Sequence, residues 1–277
     1  MEVDTPTLVQ GPAFEAQLEV FSTQWRYGTS TKNYYLPTSP EISIKKLLAY
    51  GLENVFEVRS CFRNDELGPC HEPEFTMLEW YRRGDEVGLL VEDVRNLFAS
   101  LKVHGWLAKD LMPLAEVRVA DLFQKHLNCS LTPQTSQQEL VELARSLALN
   151  PQGTESRSEL FNWIFVDKIE PQLNPEQPTI IHSYPAWIPT LAKIDEYGWA
   201  QRFELYCGGF ELANAFNELL DYNEHEQRWL KIAQIRREQN LLPLGRDEEF
   251  FTAIKKGIPP TVGIAMGLER LFMVVQD

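Results

Sequence analysis

Apolar and polar residues alternate in short runs over the first hundred positions. Phe14 to Phe21 alternates in part, Tyr34-Tyr35-Leu36 follows, and Val55-Phe56-Glu57-Val58 leads into Cys61-Phe62-Arg63, so the pattern predicts short strands there. Between them Ile42 to Tyr50 reads as a helix. Glu74 to Tyr81 is aromatic and β-prone, and Glu86 to Leu101 sets Leu89, Leu90, Val94, Leu97 and Leu101 at the spacing of an amphipathic helix.

From about 105 to 177 the pattern changes to short helices punctuated by Pro113, Pro133, Pro151 and Pro171, the clearest being Gln137 to Leu149 and Glu155 to Ile169. This stretch is expected to be a helical insertion. Strand character returns at Thr179 to Tyr184 and Arg202 to Tyr206, and Cys207-Gly208-Gly209-Phe210 has the glycines of a tight turn into Glu211 to Phe216. A polar helix, Glu224 to Gln239, follows. Strands grouped into hairpins with helices between the groups predict an α+β fold on an antiparallel sheet, a single domain of residues 1–277, rather than repeated βαβ units.

Composition narrows the classes of function. An apolar content of 44% suits a globular core, and no apolar run is long enough to span a membrane. Twenty-six basic against 40 acidic residues leave a net charge of -14, which opposes the counterion release that holds proteins on nucleic acid. Cys61, Cys70, Cys129 and Cys207 form no CxxC pair, and no basic-then-apolar leader opens the chain. Reduced thiols and a cytoplasmic location are the expectation.

Three stretches carry chemistry. In Phe62-Arg63-Asn64-Asp65-Glu66 through Glu74-Phe75-Thr76-Met77-Leu78-Glu79-Trp80-Tyr81, two strands would project Arg63, Glu79 and Tyr81 from one side of a hairpin. Glu204 and Glu211 flank the Gly208-Gly209 turn; if those glycines are the loop, Glu211 lies opposite Tyr206 and diagonal to Glu204, where a magnesium ion would relieve their repulsion. Gly263-Ile264-Ala265-Met266-Gly267-Leu268-Glu269-Arg270 runs small residues into a helix whose first turn offers a guanidinium to phosphate oxygens. Each has a plainer reading on its own: a charged hairpin with a solvated tip, two exposed glutamates, and tight strand-to-helix packing.

Taken together and in order, the stretches resemble the three signature motifs of the class II aminoacyl-tRNA synthetases. Val3 to Pro6 is similar to the end of motif 1, Phe62 to Tyr81 to motif 2, and Gly263 to Arg270 to motif 3. His71-Glu72-Pro73-Glu74-Phe75-Thr76-Met77-Leu78-Glu79-Trp80-Tyr81 and Glu211-Leu212-Ala213-Asn214 narrow the resemblance to the lysyl branch and its free-standing paralogues, since the chain has no room for an anticodon-binding barrel. Ser39 stands where the synthetases usually have alanine, and Ala265 where they have the central glycine of motif 3. Both changes would reshape the pocket for an amine on the β carbon.

The resemblance implies ATP and Mg2+ as cofactors and a homodimer. Arg63 would hold the α-phosphate and substrate carboxylate, and Arg270 the γ-phosphate. Asp65, a residue shorter in reach than the family's usual glutamate, would face ATP, His71 would contact phosphates, and Phe75 would stack under adenine. Glu204 and Glu211 would bind magnesium. Glu41 and Glu218, with Glu79 and Tyr81, would surround the two amines of the substrate, Ser39 and Ala265 would line the walls of its pocket, and Asn214 would touch its carboxylate. The implied reaction is adenylation of (R)-β-lysine followed by transfer to a lysine side chain of elongation factor P, with neither tRNA nor membrane as a partner. Two alternatives stay open: a minimal amino-acid:tRNA ligase, and a non-catalytic regulatory module on a synthetase fold. Against the family pattern the chain starts inside motif 1 and stops inside the helix after motif 3, so truncation at both ends is expected.

Overall fold

A computed structural model describes residues 1–13, 18–64, 68, 72–107, 111 and 113–276. In chain order its elements are β1 (Ser22–Tyr27), β2 (Ser30–Tyr35), α1 (Glu41–Ala49), β3 (Val55–Phe62), β4 (Glu74–Arg83), α2 (Gly88–Val103), β5 (Ala115–Arg118), α3 (Val119–Leu127), α4 (Gln137–Ser146) and α5 (Arg157–Ile164). A π turn (Phe165–Ile169) and a 3-10 turn (Glu170–Gln172) extend α5. Then come β6 (Thr179–Pro185), β7 (Trp199–Cys207), β8 (Phe210–Asn217), α6 (Tyr222–Glu238), α7 (Glu248–Lys256), β9 (Thr261–Gly267) and α8 (Leu268–Gln276). The class is α+β, as the patterning predicts, and the chain divides into two compact units.

The first unit is Met1–Asp85 with Leu219–Leu271. Its ladder runs β3-β4-β9, antiparallel throughout, with Val55 opposite Tyr81 and Glu79 opposite Ala265. The N-terminal stretch adds a parallel bridge at Glu2 and Phe56. Helices α1 and α7 bury Ile42, Ile44, Leu48, Phe250, Phe251 and Ile254 against Val55 and Tyr81. Asp247 caps α7, its carboxylate accepting from the Phe250 backbone N–H at 2.9 Å.

The second unit is Glu86–Glu218 with Phe272–Asp277. Its strands run β8-β7-β6-β5, and the β5–β6 pair is parallel. Phe161 sits at the centre of its core, stacked on Phe123 at 5.3 Å and Phe165 at 5.8 Å, with Tyr184 and Trp187 edge-on. Helices α4 and α5 both open on complete capping boxes, Ser136 with Glu139 and Ser156 with Glu159.

Two expectations need correction. The strand expected over Phe14 to Phe21 lies further on, at Ser22–Tyr27; both faces of that strand are exposed, so it carries no inside-outside alternation, and residues 14–17 lie outside the described residues. The stretch 105–177 is not wholly helical: it holds β5, whose parallel partner β6 is some sixty residues away, and the sheet is accordingly not purely antiparallel. Helix α7 adds an element to those the patterning assigns; its Asp247 cap and its buried Phe250, Phe251, Ala253 and Ile254 are a helical signature.

Candidate active site

In the first unit the β3-β4-β9 ladder builds one polar face. Because side chains alternate, Glu57, Arg59 and Cys61 share a face with Phe75, Met77, Glu79 and Tyr81 and with Gly263, Ala265 and Gly267. Glu79 is buried and accepts the Tyr81 hydroxyl hydrogen at 2.5 Å. Ala265 lies opposite it on β9 and Glu57 opposite it on β3. Two buried carboxylates facing each other destabilise a ladder unless one is compensated. Glu57 is: it accepts from the Thr5 N–H at 2.8 Å and the Thr5 hydroxyl at 2.9 Å, with Arg59 at 3.4 Å. This binds the stretch resembling the end of motif 1 to the face that carries Glu79. Cys61, on the same face, has its thiol pushed up to about 12 by burial and then by the Glu79 charge, which makes it an inert thiol.

Beyond the end of β3, the Arg63 guanidinium lies over the Phe75 ring, 5.2 Å from its centroid. Arg270 is in the first turn of α8 and half-buried, and Gly267 before it leaves room at the backbone. Asp65 and His71 lie outside the described residues.

Glu41 opens α1, where the Ser39 hydroxyl accepts its backbone N–H at 3.4 Å. Its carboxylate is engaged by a residue that sequence reasoning passed over: Lys45, one turn on and 0% exposed, brings Nζ to 2.5 Å from Glu41 Oε1. Behind the pair, buried His225 donates from Nε2 to the Leu219 carbonyl at 2.7 Å. Burial, followed by the Lys45 charge, lowers His225 to about 4, so it is neutral near pH 7.

In the second unit β7 and β8 hold the remaining residues. The turn uses Gly208 and Gly209 at φ +64° and +81°, the left-handed region that favours glycine. Tyr206 is opposite Glu211 and Leu205 opposite Ala213, so Leu212 is a bulge, and Glu204 is opposite Asn214. Without the bulge Glu211 and Asn214 would point to opposite faces; with it both share the face of Glu204. The Glu204 carboxylate accepts from Tyr184 at 2.6 Å and Tyr206 at 3.0 Å through Oε2, and Arg202 pairs with Oε1. Arg202 also donates to Asn214 Oδ1 at 3.1 Å and lies between the Tyr184 and Phe216 rings. Burial and then the Glu204 charge raise both tyrosines, keeping their hydroxyls protonated as donors. Asn214 thus has its carbonyl turned to Arg202. Glu218 is fully buried, bridged to Ala192 through the backbone.

This donor set suits magnesium, a hard cation that takes one or two carboxylates and fills its octahedron with phosphate and water oxygens. Glu211 and Glu204 are the candidates; both Glu204 oxygens already accept hydrogen bonds, Oε2 from the two tyrosines and Oε1 from Arg202, so a metal at Glu204 would share Oε1 with the guanidinium. Among the described residues no cluster of three or more His, Cys, Asp or Glu forms a self-sufficient metal site.

Arg202, Tyr184 and Lys45 are the residues that sequence reasoning missed. Arg202 had a readable signal, its i, i+2 spacing from Glu204 on one strand. Lys45 had its i, i+4 spacing from Glu41, although not its burial, and Tyr184 had no signal, since its role depends on tertiary packing.

A family profile, tRNA synthetases class II (D, K and N), matches residues 1–277. The chain belongs to this family. Among curated relatives it is similar to the elongation factor P–(R)-beta-lysine ligase of Haemophilus influenzae, 34% identical over 282 residues, which is 100% of this chain and 84% of the relative. The enzyme of the same name from Haemophilus ducreyi is 35% identical over 279 residues, 99% of this chain and 83% of the relative. That from Hamiltonella defensa is 34% identical over 280 residues, 99% and 84%. No helix among the described residues is long and apolar enough to cross a membrane.

Proposed function

We propose that the chain is an ATP-dependent ligase that activates (R)-β-lysine as an adenylate and transfers it to a lysine side chain of elongation factor P. The observation that carries this reading is the row Glu79–Ala265 with Tyr81: a buried carboxylate, held by a tyrosine hydroxyl, faces a methyl where a lysyl synthetase pattern calls for glycine. The near-full-length similarity to enzymes of that name supports it.

Arg63 and Arg270 neutralise the α- and γ-phosphates, Phe75 stacks on adenine, and Asp65 and His71 serve the same nucleotide. Glu41, Glu79, Tyr81 and Glu218 receive the two ammonium groups, Ser39 and Ala265 shape the pocket, and the Asn214 amide N–H donates to the carboxylate. Glu211 and Glu204 hold Mg2+, which when bound offsets the charge of the triphosphate. A carboxylate oxygen of the amino acid attacks the α-phosphorus in line, the P–O bond to the β-phosphate breaks, and pyrophosphate leaves. Positioning and charge neutralisation carry this step without a protein nucleophile. In the second step the neutral acceptor amine attacks the acyl carbon, the C–O bond to AMP breaks, and the amine proton passes to solvent. The chain acts as a cytoplasmic homodimer and does not use tRNA.

The deciding experiment is pyrophosphate exchange with ATP, Mg2+ and either (R)-β-lysine or α-lysine, followed by transfer to elongation factor P or tRNA. Exchange with (R)-β-lysine and protein labelling are expected. A strong α-lysine preference with tRNA charging overturns the reading in favour of a tRNA ligase, and no exchange from folded protein favours a non-catalytic module.

A further inference from the structure

Strands β1 and β2 form a two-stranded arm, paired from Ser22 and Tyr35 to Tyr27 and Ser30. Every residue of β1 and the first four of β2 are exposed. An isolated hairpin in water is marginally stable, and exposed aromatics on it mark an interaction surface. Trp25 is 45% and Tyr27 74% exposed, and their rings stack at 5.8 Å and 7° on one face of the arm. The register sets Lys32 opposite Trp25 on that face, while Arg26 points to the other side beside Gln24. From Val20 to Pro40 there is no Asp or Glu, although 40 of the 277 residues are acidic.

The root of the arm is fixed to the nucleotide-binding strand. The Glu19 carbonyl accepts from the Asn64 N–H and the Pro37 carbonyl from the Phe62 N–H, both at 2.9 Å, so the two ends of the arm are tied to the last residue of β3 and to the chain just past it, on either side of Arg63. Ser39 and Glu41 follow directly after it in the chain.

We propose that this arm docks the protein acceptor, through an acidic face that lies beside the acceptor lysine. The inference rests on the two-step ligase reading. A chain of charge -14 repels an acidic protein over most of its surface, and the acid-free arm with Arg26 and Lys32 is where such a partner is drawn in. Trp25 and Tyr27 supply the rigid aromatic anchors that dominate interface energies. Six-residue strands reach roughly 20 Å, so a protein held on the arm keeps its lysine within reach of Arg63, where the adenylate forms.

The test separates the two steps in the full chain, using the pairs Trp25→Ala with Tyr27→Ala and Arg26→Glu with Lys32→Glu. Pyrophosphate exchange with (R)-β-lysine is expected to stay within about twofold of the parent, while KM for elongation factor P in the transfer step rises about tenfold or more. The parent's KM for elongation factor P should climb with salt, and the charge-reversed pair should lose that dependence. A KM within about twofold of the parent in both pairs overturns the inference, as does an equal fall in exchange, which would make the arm part of the first site. Transfer kept with a dimer lost, by sedimentation, also overturns it, because a second copy would then be the occupant. If the parent itself gives no exchange, the ligase reading fails; if it exchanges and transfers and the variants match it, only the arm inference fails.

Discussion

Ala265 stands directly across the β4–β9 ladder from Glu79, whose carboxylate is buried and held by Tyr81. Cβ atoms of such a pair are about 5 Å apart, so the methyl of Ala265 helps define the space in front of the carboxylate. Removing one methyl from a pocket changes discrimination by about 1 to 3 kcal/mol. Ala265→Gly is therefore expected to lower the preference for (R)-β-lysine over α-lysine, measured as the ratio of kcat/KM values, by roughly tenfold. An unchanged ratio removes Ala265 from the selectivity of the site.

Glu41 and Lys45 form an i, i+4 pair in the favoured order, glutamate first, but with the lysine wholly buried. Lys45→Met strands a carboxylate that is only 14% exposed, and a broken buried pair costs about 3 to 5 kcal/mol. Because Glu41 keeps some contact with water, a loss of about 2 to 3 kcal/mol in urea denaturation is expected. The double variant Glu41→Gln, Lys45→Met should regain most of it, since no charge is left stranded. Equal stability of the single and double variants would show that Lys45 does not act through Glu41.

What could be read from the chain, and what could not, divides along the range of the interactions involved. Helices α1, α2 and α4 and strands β3, β4, β6, β7 and β8 follow local periodicity and stand close to where the patterning puts them. β5 is four residues long and exists through its pairing with β6. The site divides the same way. The spacing of Glu79 and Tyr81 puts them on one face of a strand by alternation alone, and the structure shows them bonded. The common face of Glu204, Glu211 and Asn214 depends on the Leu212 bulge, which no period-two count reveals. Lys45 reads as a solvent-facing residue because lysine nearly always is one. Its burial is a property of the packed unit.

Glu204 differs from Glu211 in its surroundings, and the difference is testable. Its carboxylate is the hub of Tyr184, Tyr206 and Arg202, so Glu204→Gln keeps one acceptor oxygen but removes the charge opposite a buried guanidinium and puts an amide donor where a second acceptor is needed, besides weakening the proposed metal site. A fall in stability of about 2 kcal/mol, with a raised Mg2+ requirement for exchange, is expected. Glu211→Gln should raise the Mg2+ requirement with a smaller loss in melting temperature. If Glu204→Gln melts with the parent, the network does not hold the β7 face together.

His225 gives a pH signature with a fixed sign. Its pKa falls from an ordinary 6.5 to about 4 in the folded chain, because burial and the Lys45 charge oppose a second cation. Above pH 6.5 the residue is neutral in both folded and unfolded chains and its contribution is complete. Between 6.5 and 4 the unfolded chain takes up a proton that the folded chain refuses, so stability falls with falling pH. The whole window is worth about 3 kcal/mol. His225→Gln keeps a donor for the Leu219 carbonyl but does not titrate. The difference in unfolding free energy between parent and variant, followed by denaturant titration from pH 7.5 to 4, isolates this group because the other titrations cancel. The parent is expected to lose ground to the variant progressively below about pH 6.5, at a slope approaching 1.4 kcal/mol per pH unit. A difference that stays flat across the range would place His225 in water rather than behind the Glu41–Lys45 pair.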